Sequence, residues 1–143
     1  IWSSPNPVYL RANTRKSTYK HEPFEMGKAE TVLLGKDVNI LVYGILFEQA
    51  LVAKQLLEEQ GLSVGLVNMR SLKPVDEIAI INACEADLVV TLEDHFQTGG
   101  LYTIVAETLL KNTLTAQVMP IALDDKWFRP ALLNDVLEYE GFT

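Results

Sequence analysis

Hydrophobic positions follow two different periods along this chain. Residues 38–44, VNILVYG, are apolar almost without a break and end on a glycine, the pattern of a strand covered on both sheet faces. The period then changes. Leu46, Ala50, Ala53 and Leu57 recur at helical spacing, Glu48, Gln49, Gln55 and Glu59 fall on the other side, and Gly61 stands where a helix C-terminal cap belongs. The small alanines let this helix lie close to a sheet. Residues 62–68, LSVGLVN, predict a second strand, and Pro74 supplies a first-turn proline for a helix running through Ile78, Ile81 and Cys84. Residues 88–92, LVVTL, predict a third buried strand; after EDHFQTGG comes a helix with Leu101, Ile104, Val105 and Leu109 on one face. Residues 115–123 contain a fourth strand, AQVMPIAL, and residues 130–140 predict a last helix closed by Gly141.

Strand followed by helix, four times over, implies parallel strands joined by right-handed crossovers. The expected fold class is therefore α/β: an open three-layer sandwich with a mostly parallel sheet and helices on both faces. Before residue 37 the regularity lapses. PVYLR at residues 7–11 is a short β-prone run, and residues 12–22 are polar and non-periodic, as a linker or loop is. The chain opens Ile1-Trp2 without an initiator methionine, so it is expected to be a piece of something longer.

Charge sharpens this division. Residues 1–36 carry six Lys/Arg against three Asp/Glu, whereas residues 37–143 carry six against sixteen. The acidic body speaks against a nucleic-acid partner. No apolar stretch approaches the ~20 residues of a membrane helix, so no membrane partner is expected, and the N-terminus lacks a signal-peptide layout. Cys84 is the single cysteine, which rules out an internal disulfide and fits a cytoplasmic location.

Loops leaving the carboxyl ends of parallel strands gather at one edge, where ligands bind. YGILF, NMRSLKP and EDHFQTGG are such loops. In the last, successive side chains on an extended segment point to opposite sides, so Glu93, Asp94 and His95 cannot all face one ion without a sharp bend. His21 is the only other histidine and no HxxxH, HExxH or cysteine pair occurs, so no metal site is expected. His95 beside carboxylates suits acid/base work, but no nucleophile motif accompanies it. Gly99 and Gly100 at a helix start suit either an anion held by free backbone N–H groups or a tight turn that excludes side chains. The residues alone thus leave a contact loop of open chemistry. Cys84 falls on an apolar helix face and reads as core. Arg70 and Lys73 flank a strand-to-helix turn and read as an ion pair or cap, while Trp127 and Phe128 stand as apolar residues in a polar connection.

Four stretches, taken in order, resemble a known family. PVYLR with Arg15 shortly after it, FEMGKAE at 24–30, NMRSLKPVD at 68–76 and LEDHFQTGGL at 92–101 are similar to the C-terminal domain of transketolase-like enzymes, especially short or split bacterial and archaeal forms. The resemblance implies a dimeric thiamine-diphosphate enzyme that moves a two-carbon ketol unit between sugar phosphates. It implies that residues 1–36 hold the last strand of a preceding pyrimidine-binding domain plus a linker, and that residues 37–143 form the C-terminal domain. Thiamine diphosphate and Mg would be bound by domains this chain lacks, since the GDG motif with its later asparagine and the pyrimidine domain's catalytic glutamate are absent; the chain alone is expected to be inactive. Glu93, His95, Gly99 and Gly100 would lie at a domain or dimer interface. Arg15, with Arg11 as second choice, would contact the substrate phosphate, for which a guanidinium offers a planar fork. Beta subunits of ketoacid dehydrogenases and deoxyxylulose-phosphate synthases carry similar domains, and a free-standing protein-interaction module is the remaining alternative.

Overall fold

In a computed structural model, residues 4–10, 12 and 17–142 are described. The strands among them are β1 (Glu30–Leu33), β2 (Val38–Val42), β3 (Val64–Asn68), β4 (Leu88–Phe96) and β5 (Val118–Leu123); the helices are α1 (Phe47–Glu59), α2 (Glu77–Ala83), α3 (Leu101–Lys111) and α4 (Leu133–Tyr139). They form one sheet in the order β1-β3-β2-β4-β5. β2 to β5 run parallel, and β1 joins the edge antiparallel to β3.

Strand alternation divides the core in two. Ile40 and Val42 of β2 face one side, where they pack with Phe47 and Ala50 of α1 and Leu137 of α4. Leu41, between them, faces the other side with Ile80 of α2 and Leu101 and Val105 of α3. Both faces are thus covered. That is why the central strands read as continuous apolar runs rather than alternating ones, and it is the α/β sandwich the pattern predicts.

The boundaries differ from the sequence reading in four places. β1 lies inside the segment read as linker; ETVL is short, and its first residue, Glu30, is a carboxylate buried to 6% exposure, so no apolar pattern marks it. Pro74 does not open α2. Asp76 does, by accepting the Ala79 N–H at 3.1 Å, while its second oxygen accepts the Ala29 N–H and ties the approach to β1 onto the same turn. β4 continues to Phe96 instead of ending at Leu92, so half of EDHFQTGG is strand. Residues 7–10 of the β-prone run form no strand, and Val8, Tyr9 and Leu10 are exposed. Arg11 and Arg15 lie outside the described residues.

Candidate functional site

At the carboxyl edge of β2, β3 and β4 the three loops converge. A cleft of about 730 Å³ opens between the first two of these loops and the N-terminal arm, lined by Tyr43, Gly44 and Glu48 after β2, by Asn68 and Arg70 at the end of β3, and by Ser17 and His21 of the arm. Gly44 takes a positive φ of 72°, so the turn after β2 favours glycine.

Glu93 is wholly buried. One carboxylate oxygen accepts the Leu101 N–H at 2.7 Å and the other the Tyr102 N–H at 3.1 Å, so the side chain caps the start of α3. The Tyr43 hydroxyl donates to it at 3.5 Å. Burial, and then the carboxylates of Glu93 and Asp94, push the Tyr43 phenol upward, which keeps it a neutral donor. Gly100 is buried hard against this cap: a Cβ there would fall on the Glu93 carboxylate and come within 2.6 Å of the Phe96 carbonyl. Glu93 and Gly100, expected at a domain or dimer interface, are buried within this chain. A buried carboxylate needs donors, and the nearest free ones are the first amides of α3. His95 and Gly99 are exposed, and the His95 ring meets Phe96 edge-on at 5.7 Å. Among the described residues no three His, Cys, Asp or Glu are arranged to hold a metal ion.

The polar arm is docked across this edge, not free. Glu30 accepts the Glu22 N–H at 2.7 Å and an Asn68 side-chain N–H at 3.2 Å, and lies 2.7 Å from Nδ1 of His21. Arg70 donates to the carbonyls of Glu22 at 2.7 Å and Pro23 at 3.2 Å, lies 3.9 Å from Glu30 and stands over the Phe24 ring. It is a staple on the arm. Glu48, in the first turn of α1, accepts from Ser17 and Thr18. Sequence reasoning missed His21, Glu30, Glu48 and Asn68, because no motif joins them to their partners: Glu30 is met by Glu22, 8 residues away, and by Asn68, 38 residues away, and Glu48 by Thr18, 30 residues away.

Burial alone would raise the Glu30 carboxyl, but the Glu22 N–H and the His21 and Asn68 side chains outweigh it and hold the group below the ordinary carboxylate value. The Ser17 and Thr18 hydroxyls do the same for Glu48. Both folded-state values are lowered, so this docking is fully stabilising above the ordinary pKa of 4.5 and is lost as pH falls through the lowered values. In an NMR titration Glu30 and Glu48 are expected to have midpoints below 4.5, with the Glu22 and Thr18 amides shifting in step, and His21→Ala is expected to raise the Glu30 midpoint. A Glu30 midpoint above 4.5 would refute the docking as described.

Other singled-out residues take structural places. Cys84 packs against the α2 and α3 side of the core, where burial pushes its thiol up and away from reactivity. Phe128 stacks on Phe96 at 5.9 Å, and Trp127 is fully exposed. The edge as a whole holds chain segments together: its carboxylates accept backbone N–H groups, and Ser17 Oγ lies 3.1 Å from Nε2 of His21, whose Nδ1 meets Glu30, while the Ser17 hydroxyl donates to Glu48.

The profile of the family described as "Transketolase, C-terminal domain" matches residues 27–143. The chain is similar to a "Putative transketolase C-terminal section" of Methanocaldococcus jannaschii, 36% identical over 140 residues that make up 94% of this chain and 44% of that protein. It is also similar to the 1-deoxy-D-xylulose-5-phosphate synthase of Dictyoglomus thermophilum, 35% identical over 124 residues, 84% of this chain and 20% of that enzyme. A solved structure titled "Split gene transketolase, inactive beta4 tetramer" superposes with a TM-score of 0.77 at 35% identity, covering 84% of this chain and 39% of that one. The chain thus spans less than half the length of these relatives.

Proposed function

Because the chain belongs to the family of transketolase C-terminal domains, we propose that it is the C-terminal part of a thiamine-diphosphate-dependent enzyme that transfers a two-carbon ketol unit between sugar phosphates. The observation that carries this reading is the match over residues 27–143 to a section or subunit of transketolases, with less than half of the relative's length covered. The chain's own residues do not fit thiamine diphosphate and Mg. Among the described residues no acidic cluster can hold the metal, and Glu48 of the cleft and the buried Glu30 are engaged by the arm. The cofactor would be held by preceding domains or a partner subunit.

In this reading the chain supplies assembly and substrate contact. Val8, Tyr9 and Leu10, unpacked against their own domain, complete the last strand of the preceding pyrimidine-binding domain, and residues beyond them lead into this one. His95 and Gly99, with the exposed Trp127, face that domain or a second copy in a homodimer; Glu93 and Gly100 shape the surface from beneath. Arg15, or Arg11, holds the sugar phosphate. The free thiol of Cys84 suits a cytoplasmic enzyme. A second reading, a deoxyxylulose-phosphate synthase, is favoured by the Dictyoglomus match, but the chain covers only 20% of that enzyme.

The isolated chain, titrated calorimetrically with thiamine diphosphate and Mg, is expected to show no heat of specific binding and no ketol transfer. Activity should appear when it is joined to or mixed with a thiamine-diphosphate-binding transketolase section. Micromolar cofactor affinity in the chain alone would overturn the assignment, and a product formed by condensation with pyruvate would favour the synthase reading.

A further inference from the structure

Glu30, His21, Ser17 and Glu48 form one hydrogen-bonded line across the arm. Nδ1 of His21 lies 2.7 Å from a Glu30 oxygen, and its Nε2 lies 3.1 Å from Ser17 Oγ. Glu48 Oε1 accepts the Ser17 hydroxyl at 2.6 Å and the Thr18 N–H at 2.9 Å, and its Oε2 accepts the Thr18 hydroxyl at 2.8 Å. The hydrogens along this line fix the state of the ring. Glu30 and Glu48 are both held below the ordinary carboxylate value, so at neutral pH each is ionised and only accepts. Nδ1 therefore carries a hydrogen to meet Glu30. Ser17 has a single hydroxyl hydrogen, and the charged oxygen of Glu48, the nearer acceptor, takes it. A bare Nε2 would then set its lone pair against those of Ser17 Oγ, so Nε2 carries a hydrogen too. Both ring nitrogens donate, which only the imidazolium allows.

We infer that His21 is a pH-operated latch: as the imidazolium it ties the Ser17 end of the arm to Glu30, and loss of one proton loosens that end from α1. The charges that face the ring fit this role. Glu30 of β1 and Glu48 of α1 bring two negative charges, and Arg70, after β3 and 3.9 Å from Glu30, brings one positive charge; the imidazolium supplies the second. The other neighbours are the rings of Phe47 and Tyr19, at 4.9 and 5.1 Å, and the neutral Tyr43 phenol across the cleft. Once Nε2 loses its proton, its contact with Ser17 survives only if the hydroxyl turns from Glu48 to the ring, so one of the two bonds is given up either way. Thr18 keeps its two bonds to Glu48, and Glu30 keeps its Glu22 and Asn68 donors, which confines the loosening to the Ser17 end. Ser17 and His21 form one wall of the cleft, so the latch sets how firmly that wall is held. The latch acts at pH below the ring's titration and is lost as pH rises through it, whereas the contributions of Glu30 and Glu48 are lost as pH falls through their lowered values. The arm is held tightest between the two.

In nitrogen NMR of this chain with labelled histidine, raising the pH from about 5.5 to about 9 takes an imidazole through its titration. The proton is expected to leave Nε2 of His21 and to stay on Nδ1, and the Thr18 and Tyr19 amides should shift with the same midpoint as the ring. Thr18 amide exchange, corrected for its intrinsic pH dependence, should speed about two- to tenfold, the worth of one net hydrogen bond. Exchange at the Glu22 amide, which Glu30 holds, should change less. His21→Gln, which does not titrate, and Ser17→Ala, which has no hydroxyl to share, should each abolish the step, and titration of His95 should leave these amides unmoved. Loss of the proton from Nδ1 instead, arm amides indifferent to the titration of His21, or an alkaline step that persists in either variant would overturn the latch.

Discussion

Replacing Gly100 with alanine is expected to cost the chain about 3 kcal/mol or more of folding stability. The backbone at Gly100 is ordinary extended chain, with φ −90° and ψ −160°, so the cost is steric and not conformational. The new methyl would fall on the Glu93 carboxylate and the Phe96 carbonyl. Moving the carboxylate would strip the Leu101 and Tyr102 N–H groups of their acceptor and leave a buried charge with fewer donors. Urea unfolding should show a lower midpoint with an unchanged slope. Gly99→Ala is the contrast: nothing lies within 4 Å of its Cβ, and only its positive φ of 79° opposes the change, costing about 1–2 kcal/mol. Equal stability of Gly100→Ala and the parent would mean that Glu93 does not cap α3 as described.

Arg15→Ala, in the assembled enzyme, is expected to raise KM for phosphorylated sugars roughly ten- to a hundredfold, the loss of charge-assisted hydrogen bonds worth ~1.5–3 kcal/mol. Unphosphorylated sugars should be almost unaffected, because they never used the guanidinium. Arg15→Lys should restore little, since an ammonium keeps the charge but not the planar fork. The same pair of sugars measured with Arg11→Ala decides between the two arginines. Equal effects of Arg15→Ala on both sugars would return it to a solvated linker.

The sequence by itself determined the architecture. Continuous apolar runs at β2, β3 and β4, and helical spacing at Leu46, Ala50, Ala53 and Leu57, specify a parallel sheet covered on both faces, because period and burial are local properties of the pattern. It also located the edge where the loops after β2, β3 and β4 gather, since strand direction follows from strand-helix alternation. What it could not reach were the polar groups. Glu93 read as loop chemistry and Glu30 drew no reading of its own, yet both are buried, and nothing in a hydrophobic pattern marks a buried carboxylate whose donors are backbone N–H groups. Likewise the arm read as linker because it lacks apolar period, while its attachment comes from Glu48 and Arg70, 30 and 48 residues away from Thr18 and Glu22. Only the tertiary structure decided which of these charges turn inward, because a charged group is held by the donors that folding brings to it, and those donors are backbone groups that every residue but proline carries and no sequence pattern distinguishes.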